Sequence, residues 1–372
     1  MLLNNNTQLK IIQNIWLKGN VTMLELSREL NIDRSNISRN LKKLKKSGLI
    51  IYDAEKVENH TVGRKSYQIK FNYDFAYNIG VTVTESFILA YLMNLNFKVI
   101  RKEILFKKVD EKTIIDDLNY CINLFSSYLD NVLFIAVSFP EPVDHEQGMV
   151  LSSGIFPIQD LPLKRILEKK INKLVYLEND ANAGAMYHFL RNRGKYQDIV
   201  FMFLSFHINE KNIEGIQGNG IIINGELYKG AHSFSGELPL IIKIVDQEKT
   251  NALDLLRFQK FVNSKQNSII LEPYVEWYSK IASIMINFLD PEIFIIGGHT
   301  EILPKKALKE MVKKTESKII DNGRRKIKII IDENGLESIS KGSAMSYMNQ
   351  IMNDTELVNK IFSKISANNK YN

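Results

Sequence analysis

Two capped helices held three residues apart constrain this chain's opening stretch more tightly than any other feature. Thr22 is placed to N-cap a helix, with Glu25 three residues on as its capping-box partner. That helix carries Leu24, Leu26 and Leu30 and ends at Asn31-Ile32-Asp33. Asp33 is an N-cap type at the head of another helix running to about Ser47, with Gly48 behind it as a stop. Upstream, Leu9, Ile11, Ile12, Ile15 and Trp16 form a helical apolar stripe that Gly19-Asn20 terminates. Downstream, the apolar run Leu49-Ile50-Ile51-Tyr52 and a second run from Ser66 to Phe71 read as a hairpin, with Gly63-Arg64-Lys65 near its tip. Three short helices and a hairpin that must bury their apolar faces together make a winged helix-turn-helix.

Charge gives this module its use. Residues 1–72 carry 13 Lys and Arg against 6 Asp and Glu, whereas residues 73–372 carry 36 of each. The whole formal excess of +7 therefore sits on one small unit, the footprint of a nucleic-acid binder. On the third helix Ile37, Leu41 and Leu44 face inward and leave Arg34, Ser35, Asn36, Ser38, Arg39, Lys42 and Lys43 outside. Short polar and Arg side chains near a helix start suit base edges in the major groove, and the Lys residues, with Lys45 and Lys46, suit phosphates. Arg64, with Lys65, is expected to reach a narrow minor groove from the wing. The partner expected is a palindromic double-stranded operator read by a homodimer or homotetramer.

The remaining residues alternate strands with helices, an α/β pattern. Strands are expected over Asn78–Val83, Phe87–Leu92, Leu133–Phe139, Leu174–Leu177, Ile199–Phe206, Ile221–Ile223, Ile293–Ile296 and Ile327–Ile331. Helices are expected over Ile114–Leu129, Leu163–Lys170, Ala181–Arg191, Tyr274–Leu289 and Pro304–Ile319, the run at Tyr274–Leu289 being apolar enough to be buried. Asn224-Gly225 marks a tight hairpin turn. One cysteine, Cys121, precludes an intrachain disulfide or cysteine metal cluster. With no secretory pattern and no apolar stretch of membrane-spanning length, the chain is expected to be soluble and cytoplasmic. Asp180 follows the Val175-Tyr176-Leu177 strand and starts a helix. A carboxylate there lies at the sheet edge where ligand crevices form and can act as a base, or simply cap the helix.

Four segments resemble the ROK family of sugar kinases and sugar-responsive repressors. They are Ser138 to Asp144 followed by Gly148; Glu178-Asn179-Asp180-Ala181-Asn182-Ala183; Ile221 to Ala231 with Ser235-Gly236-Glu237; and Ile295-Ile296-Gly297-Gly298. The resemblance implies a two-lobed, actin/hexokinase-like (ribonuclease H-like) ROK domain over residues 73–372. Lobe one would cover about 73–190 plus the C-terminal helix, and lobe two about 191–345. It also implies Asp180 at the position of the family's catalytic base, with Asn179 and Glu237 at positions that hydrogen-bond sugar hydroxyls. The chain departs from the kinase pattern at two phosphate loops. Gly80 to Ser86 lacks a glycine pair and places Glu85 where phosphates would lie, and a polar run follows Phe206 where kinases have a Gly-rich turn. Leu238-Pro239-Leu240 stand directly after Glu237, where the family's zinc site has a His, and the Cys cluster is absent, so no metal is expected, nor any cofactor; His232 reads as an ordinary residue. Ser152-Ser153-Gly154 lacks the family's sugar-side Asn, and Glu141 replaces a glycine. Two readings follow: a transcription regulator, most simply a repressor of sugar-metabolism genes, whose ROK domain senses a sugar without catalysis, or an ATP-dependent sugar kinase with an attached DNA-binding module.

Overall fold

The structure is a computed structural model and describes residues 3, 5–53, 67–151, 158–208, 212–238, 242–245, 268–321 and 323–368. Its first unit is α1 (Asn6–Lys18), β1 (Asn20–Thr22), α2 (Met23–Glu29), α3 (Arg34–Lys46), β2 (Ile50–Asp53) and β3 (Gln68–Phe71). The expected caps are in place. Thr22 accepts the Glu25 amide while the Glu25 carboxylate accepts the Thr22 amide, and Asp33 accepts the Asn36 amide at 2.8 Å. Ile11, Ile12, Ile15, Leu26, Ile37, Leu41, Leu44 and Ile69 close one core. The strand β1 was not anticipated. It pairs antiparallel with β3, so β3 of the hairpin becomes the central strand of a three-stranded sheet ordered β1-β3-β2. The wing tip, Gly63-Arg64-Lys65, lies outside the described residues, as do Ser152 to Gly154.

A first large sheet is built from β4 (Tyr77–Val83), β5 (Phe87–Asn94), β6 (Val99–Phe106), β7 (Val132–Phe139) and β10 (Leu174–Asn179), in the order β10-β7-β4-β5-β6. The helices α4 (Ile114–Asn123) and α5 (Leu163–Ile171) cover its outer face, and a small ribbon of β8 (Val143–Asp144) and β9 (Met149–Val150) leads into α5. After α6 (Asp180–Arg191) comes a second sheet of β11 (Ile199–Ile208), β12 (Asn212–Ile223), β13 (Glu226–Leu227), β14 (Ile242–Val245), β15 (Ile293–Gly298) and β16 (Lys328–Ile331). Its path is β13-β12-β11-β15-β16, with β14 also on β12. The helices α7 (Ser268–Leu289) and α8 (Lys305–Glu316) pack on its outer face. Two last helices, α9 (Leu336–Met352) and α10 (Thr355–Asn368), close the chain.

Strand alternation sorts the apolar residues. On β11, Val200, Met202, Leu204 and Phe206 join the α7/α8 layer, while Ile199, Phe201 and Phe203 face the middle of the molecule. Both faces are covered, which is why these strands read as unbroken apolar runs. Between the sheets lie α6 and α9. They approach closely because Gly342 has no side chain: a Cβ there would overlap the Ala183 carbonyl.

Three expectations are corrected. β6 was missed, because it is an edge strand with Arg101, Lys102 and Glu103 in its middle and no uniform apolar face. The described part of the polar run after Phe206 is strand: β11 continues to Ile208, and β12 begins at Asn212 and pairs with it, residues 209–211 lying outside the described ones. Gly215 and Gly220 obscure β12 in sequence, yet the strand needs them, since a Cβ at Gly215 would meet the Tyr278 hydroxyl and the Tyr274 ring and one at Gly220 the Ala181 carbonyl. The helix spanning Tyr274–Leu289 is buried on one face only: Tyr274, Tyr278 and Ile281 are inside, whereas Trp277, Ile284 and Phe288 are 47%, 63% and 82% exposed.

Candidate functional site

The exposed face of α3 carries Arg34, Ser35, Arg39, Lys42 and Lys43, with Asn36 and Ser38 half-buried beside them. Not all are idle donors. The Ser35 hydroxyl donates to the Asp33 carboxylate at 2.6 Å, and the Asn36 Oδ1 accepts from Asn40 Nδ2 at 2.8 Å. Ser35 and Asn36 therefore stabilise the helix start, while Arg34, Arg39, Lys42 and Lys43 project outward. Lys45 lies over the Tyr52 ring, 4.6 Å from its centre, which draws it toward β2. Asn40, buried on the inner side, was not singled out from sequence; its position between Ile37 and Leu41 was the available signal.

The second candidate site lies at the carboxyl ends of β10, β11 and β15, between the two sheets. Asn179, not Asp180, caps α6: its side chain accepts the Asn182 amide at 3.1 Å. Asp180 stands in the first turn with Oδ1 accepting the Ala181 amide at 2.6 Å, so the capping alternative for Asp180 gives way. Glu237 is swung in by Gly236, whose φ of 83° and overlap of any Cβ with the Asn219 carbonyl admit only glycine. Asn219 ties this turn down, its Nδ2 donating to the Gly236 carbonyl at 2.9 Å. Asn179, Asp180 and Glu237 line one cavity of about 40 Å³, together with Thr84, Glu85, Phe203, Phe206, Gln217 and His299.

Carboxylates crowd this cavity. Burial raises Asp180 well above the usual carboxylate range, and the charges of Glu237 and Glu141 add to it. Burial, with Glu141 nearby, pushes Glu237 up to about 7. Glu178, one residue before Asn179, goes the other way. Burial would raise it, but the charge and hydrogen bond of His145, with Lys229 and the Tyr176 hydroxyl, hold it low. Its carboxylate accepts from Tyr176 Oη at 2.8 Å and His145 Nε2 at 3.1 Å, a buried brace behind the site that sequence reasoning passed over. Among the described residues no Lys or Arg lines the cavity.

Opposite Asp180, the β4–β5 turn is closed on itself. The Thr84 amide donates to the Phe87 carbonyl at 2.9 Å, and the Phe87 amide donates to Thr84 Oγ1 at 3.1 Å. His299, directly after Gly297-Gly298, packs within about 6 Å of the Phe87, Phe203 and Phe206 rings, and burial lowers it to about 4, so it is neutral. Among the described residues no group of three or more His, Cys, Asp or Glu is arranged to hold a metal ion, and His232 is exposed. Among the same residues no helix is long and apolar enough to cross a membrane.

Residues 78–242 match the ROK family model, and residues 4–51 match a winged helix-turn-helix DNA-binding model. The chain is 25% identical over 245 residues to the xylose repressor of Caldicellulosiruptor bescii, covering 64% of this chain and 58% of that protein. It is 24% identical over 234 residues to the Bacillus subtilis xylose repressor, covering 61% of this chain and again 58% of the relative. The chain thus spans less than two thirds of the length of these relatives. A shorter match, 31% over 111 residues, is to a glucokinase of Thermotoga maritima, covering 29% of this chain and 32% of that protein. Among solved structures, a ROK family transcriptional regulator described as a homologue of the E. coli MLC protein superposes with a TM-score of 0.67 at 17% identity, covering 96% of this chain and all of that one. The Streptomyces griseus ROK glucokinase superposes at 0.55 with 16% identity, covering 72% and 98% of the two chains. These similarities agree with the two sheets, the intervening helices and the capped module, and the chain therefore carries a ROK family domain behind an N-terminal winged helix-turn-helix.

Proposed function

We propose that this protein is a DNA-binding transcriptional regulator, acting as a repressor, whose ROK domain (residues 73–372) senses a sugar or sugar derivative and does not phosphorylate it. The observation that carries this reading is the asymmetry of the cavity. Asn179, Asp180 and Glu237, the residues that the ROK resemblance assigns to sugar hydroxyls, line one cavity together. On the phosphate side the Thr84 and Phe87 amides are spent within their own turn, Glu85 lines the wall, and aromatic side chains take the remaining space. Phosphoryl transfer needs bare backbone amides and a metal beside the phosphates, and a base without a bound donor transfers nothing. Similarity to proteins named xylose repressors supports the regulator over the kinase.

The mechanism is derepression by population shift. The cavity is walled by both sheets, so a ligand seated in it favours the closed arrangement of the lobes over the open one. Two winged modules, residues 1–72 of each copy in a homodimer, would bind a palindromic operator with a spacing that closure changes. A ligand can shift that equilibrium only by its differential affinity for the two arrangements.

The test is operator binding by the full chain, followed by fluorescence anisotropy with and without monosaccharides. We expect specific binding and a sugar-dependent loss of affinity that Asp180→Asn diminishes. ATP-dependent sugar phosphorylation that Asp180→Asn eliminates would overturn the regulator-only reading and promote the kinase.

A further inference from the structure

We propose that His299 and Gln217 form the second polar wall of the effector cavity and that the ligand completing them is an unphosphorylated polyhydroxy compound. The proposal rests on the sugar-sensing reading above and adds two residues and a ligand class to it.

The sheet delivers both side chains to one level. Leu204 on β11 is in register with Gln217 on β12 at one side and with Gly298 on β15 at the other. His299 follows Gly298, and its amide donates to the Leu204 carbonyl at 2.8 Å. Gly298 sits at a φ of 83°, and a Cβ there would meet the Leu204 carbonyl, so the backbone turns at this point and carries His299 to the cavity. His299 is 3% exposed and Gln217 is 2% exposed. Among the described residues neither His299 nitrogen has a hydrogen-bond partner, nor has Gln217 Oε1, while Gln217 Nε2 donates to Asn219 Oδ1 at 3.1 Å.

Buried polar atoms without partners are destabilising, and an apolar ring among Phe87, Phe203 and Phe206 would avoid the penalty. Packing alone therefore favours Phe or Leu at 299. A neutral imidazole offers one N–H donor and one acceptor, and Gln217 Oε1 offers an acceptor. Hydroxyl groups both donate and accept, so they match this set, and on the opposite wall they match the Asn179 amide and the acids of Asp180 and Glu237. A phosphate does not. Among the described residues the lining contains Glu85, Asp180 and Glu237 and no Lys or Arg, so a phosphate group would be desolvated among acidic side chains with no described cation beside it.

The experiment uses the full chain and thermal-shift and calorimetric titrations with D-xylose, D-glucose and D-mannose, and with glucose 6-phosphate and ribose 5-phosphate. At least one neutral sugar is expected to raise the melting temperature, and neither phosphate is. The variant His299→Phe, with His299→Leu as the smaller alternative should the phenyl ring not fit, is expected to melt above the wild type without sugar and to bind the active sugar about tenfold or more weakly. Gln217→Met should weaken binding in the same direction. A merely structural His299 would give the opposite melting shift. Sugar binding within twofold of wild type in both His299 variants, together with lowered melting temperatures, overturns the proposal. If Asp180→Asn abolishes that same binding, the sugar-sensing reading survives and only the role of His299 and Gln217 falls. Stabilisation by a sugar phosphate overturns the ligand class, and stabilisation by no sugar of either kind overturns both this inference and the sensing reading.

Discussion

Glu237→Gln should stabilise the sugar-free protein at alkaline pH and do little in acid. Burial and the neighbouring Glu141 raise the Glu237 carboxyl from 4.5 to about 7. A raised carboxyl favours folding fully below its unfolded value of 4.5, where both states hold the proton, and that contribution is lost as pH rises through about 7. Each tenfold change in acidity across that window is worth about 1.4 kcal/mol, so the wild type gives up at most about 3.5 kcal/mol by pH 8 that the isosteric Gln retains. For a domain of this size that is on the order of 5 °C in melting temperature. The assay is differential scanning fluorimetry of both proteins from pH 5 to pH 8 at fixed ionic strength. The difference between variant and wild type should be small at pH 5, widen up to about pH 7 and level off by pH 8. A difference that stays constant across the range would refute the reasoning, because Glu237 would then be ionising as freely in the folded chain as in the unfolded one.

Other outcomes can be checked separately. Arg39→Ala should weaken operator binding by about 1–3 kcal/mol and blur specificity, as read by anisotropy on operator and scrambled duplexes; equal loss on both would make Arg39 a phosphate contact. Arg64→Ala should weaken binding chiefly on sites with A/T flanks, where the minor groove is narrow, and equal loss on G/C-flanked sites would argue against insertion there. Gly342→Ala should cost about 1–3 kcal/mol in denaturant unfolding, because the new methyl must push α9 off the Ala183 carbonyl on α6.

What the sequence disclosed and what it hid have physical causes. The winged module was legible almost residue by residue, because capping and helical spacing are local: Thr22, Glu25 and Asp33 act on amides three residues away. The α/β pattern was legible through the alternation of apolar runs, and the grouping of Asn179, Asp180 and Glu237 followed from the resemblance to ROK motifs. Features set by distant partners were not. The opening of β12 is a strand because the β11 backbone pairs with it, and its glycines exist to admit Tyr274, Tyr278 and Ala181 from other elements. α9 hides because Ser338, Ser340, Ser343 and Ser346 are buried rather than exposed, which erases its apolar stripe. Ser340 donates to or accepts from Thr82 at 2.6 Å across 258 residues, a pairing no local pattern can announce. His299 is the same kind of case: its chain neighbours say nothing about the three rings around it.

The placement of α9 bears on how a cavity between two sheets can influence a module at the chain's other end. Asp180 opens α6, and α6 lies against α9 with no side chain between them at Gly342. The far side of α9 reaches the winged module: Lys341 and Met345 share a cavity of about 290 Å³ with Trp16 and Leu17 of α1 and with Arg191 and Arg193 at the end of α6. The module is also tied to the last helices. Gln13 Nε2 donates to Asn353 Oδ1 at 2.8 Å, and the Leu3 amide donates to Asn359 Oδ1 at 2.7 Å. These ties and the shared apolar cluster make the module part of the body rather than a bead on a tether. A shift of α6 on ligand closure would therefore be transmitted through packed side chains. Close-packed interfaces move between discrete arrangements rather than deforming smoothly. A tenfold loss of operator affinity requires only about 1.4 kcal/mol of difference between two such arrangements. That is comparable to the net worth of one or two hydrogen bonds made in the closed cavity and not in the open one, which is why a site presenting the unpaired polar atoms of His299 and Gln217 opposite Asp180 and Glu237 is suited to the task.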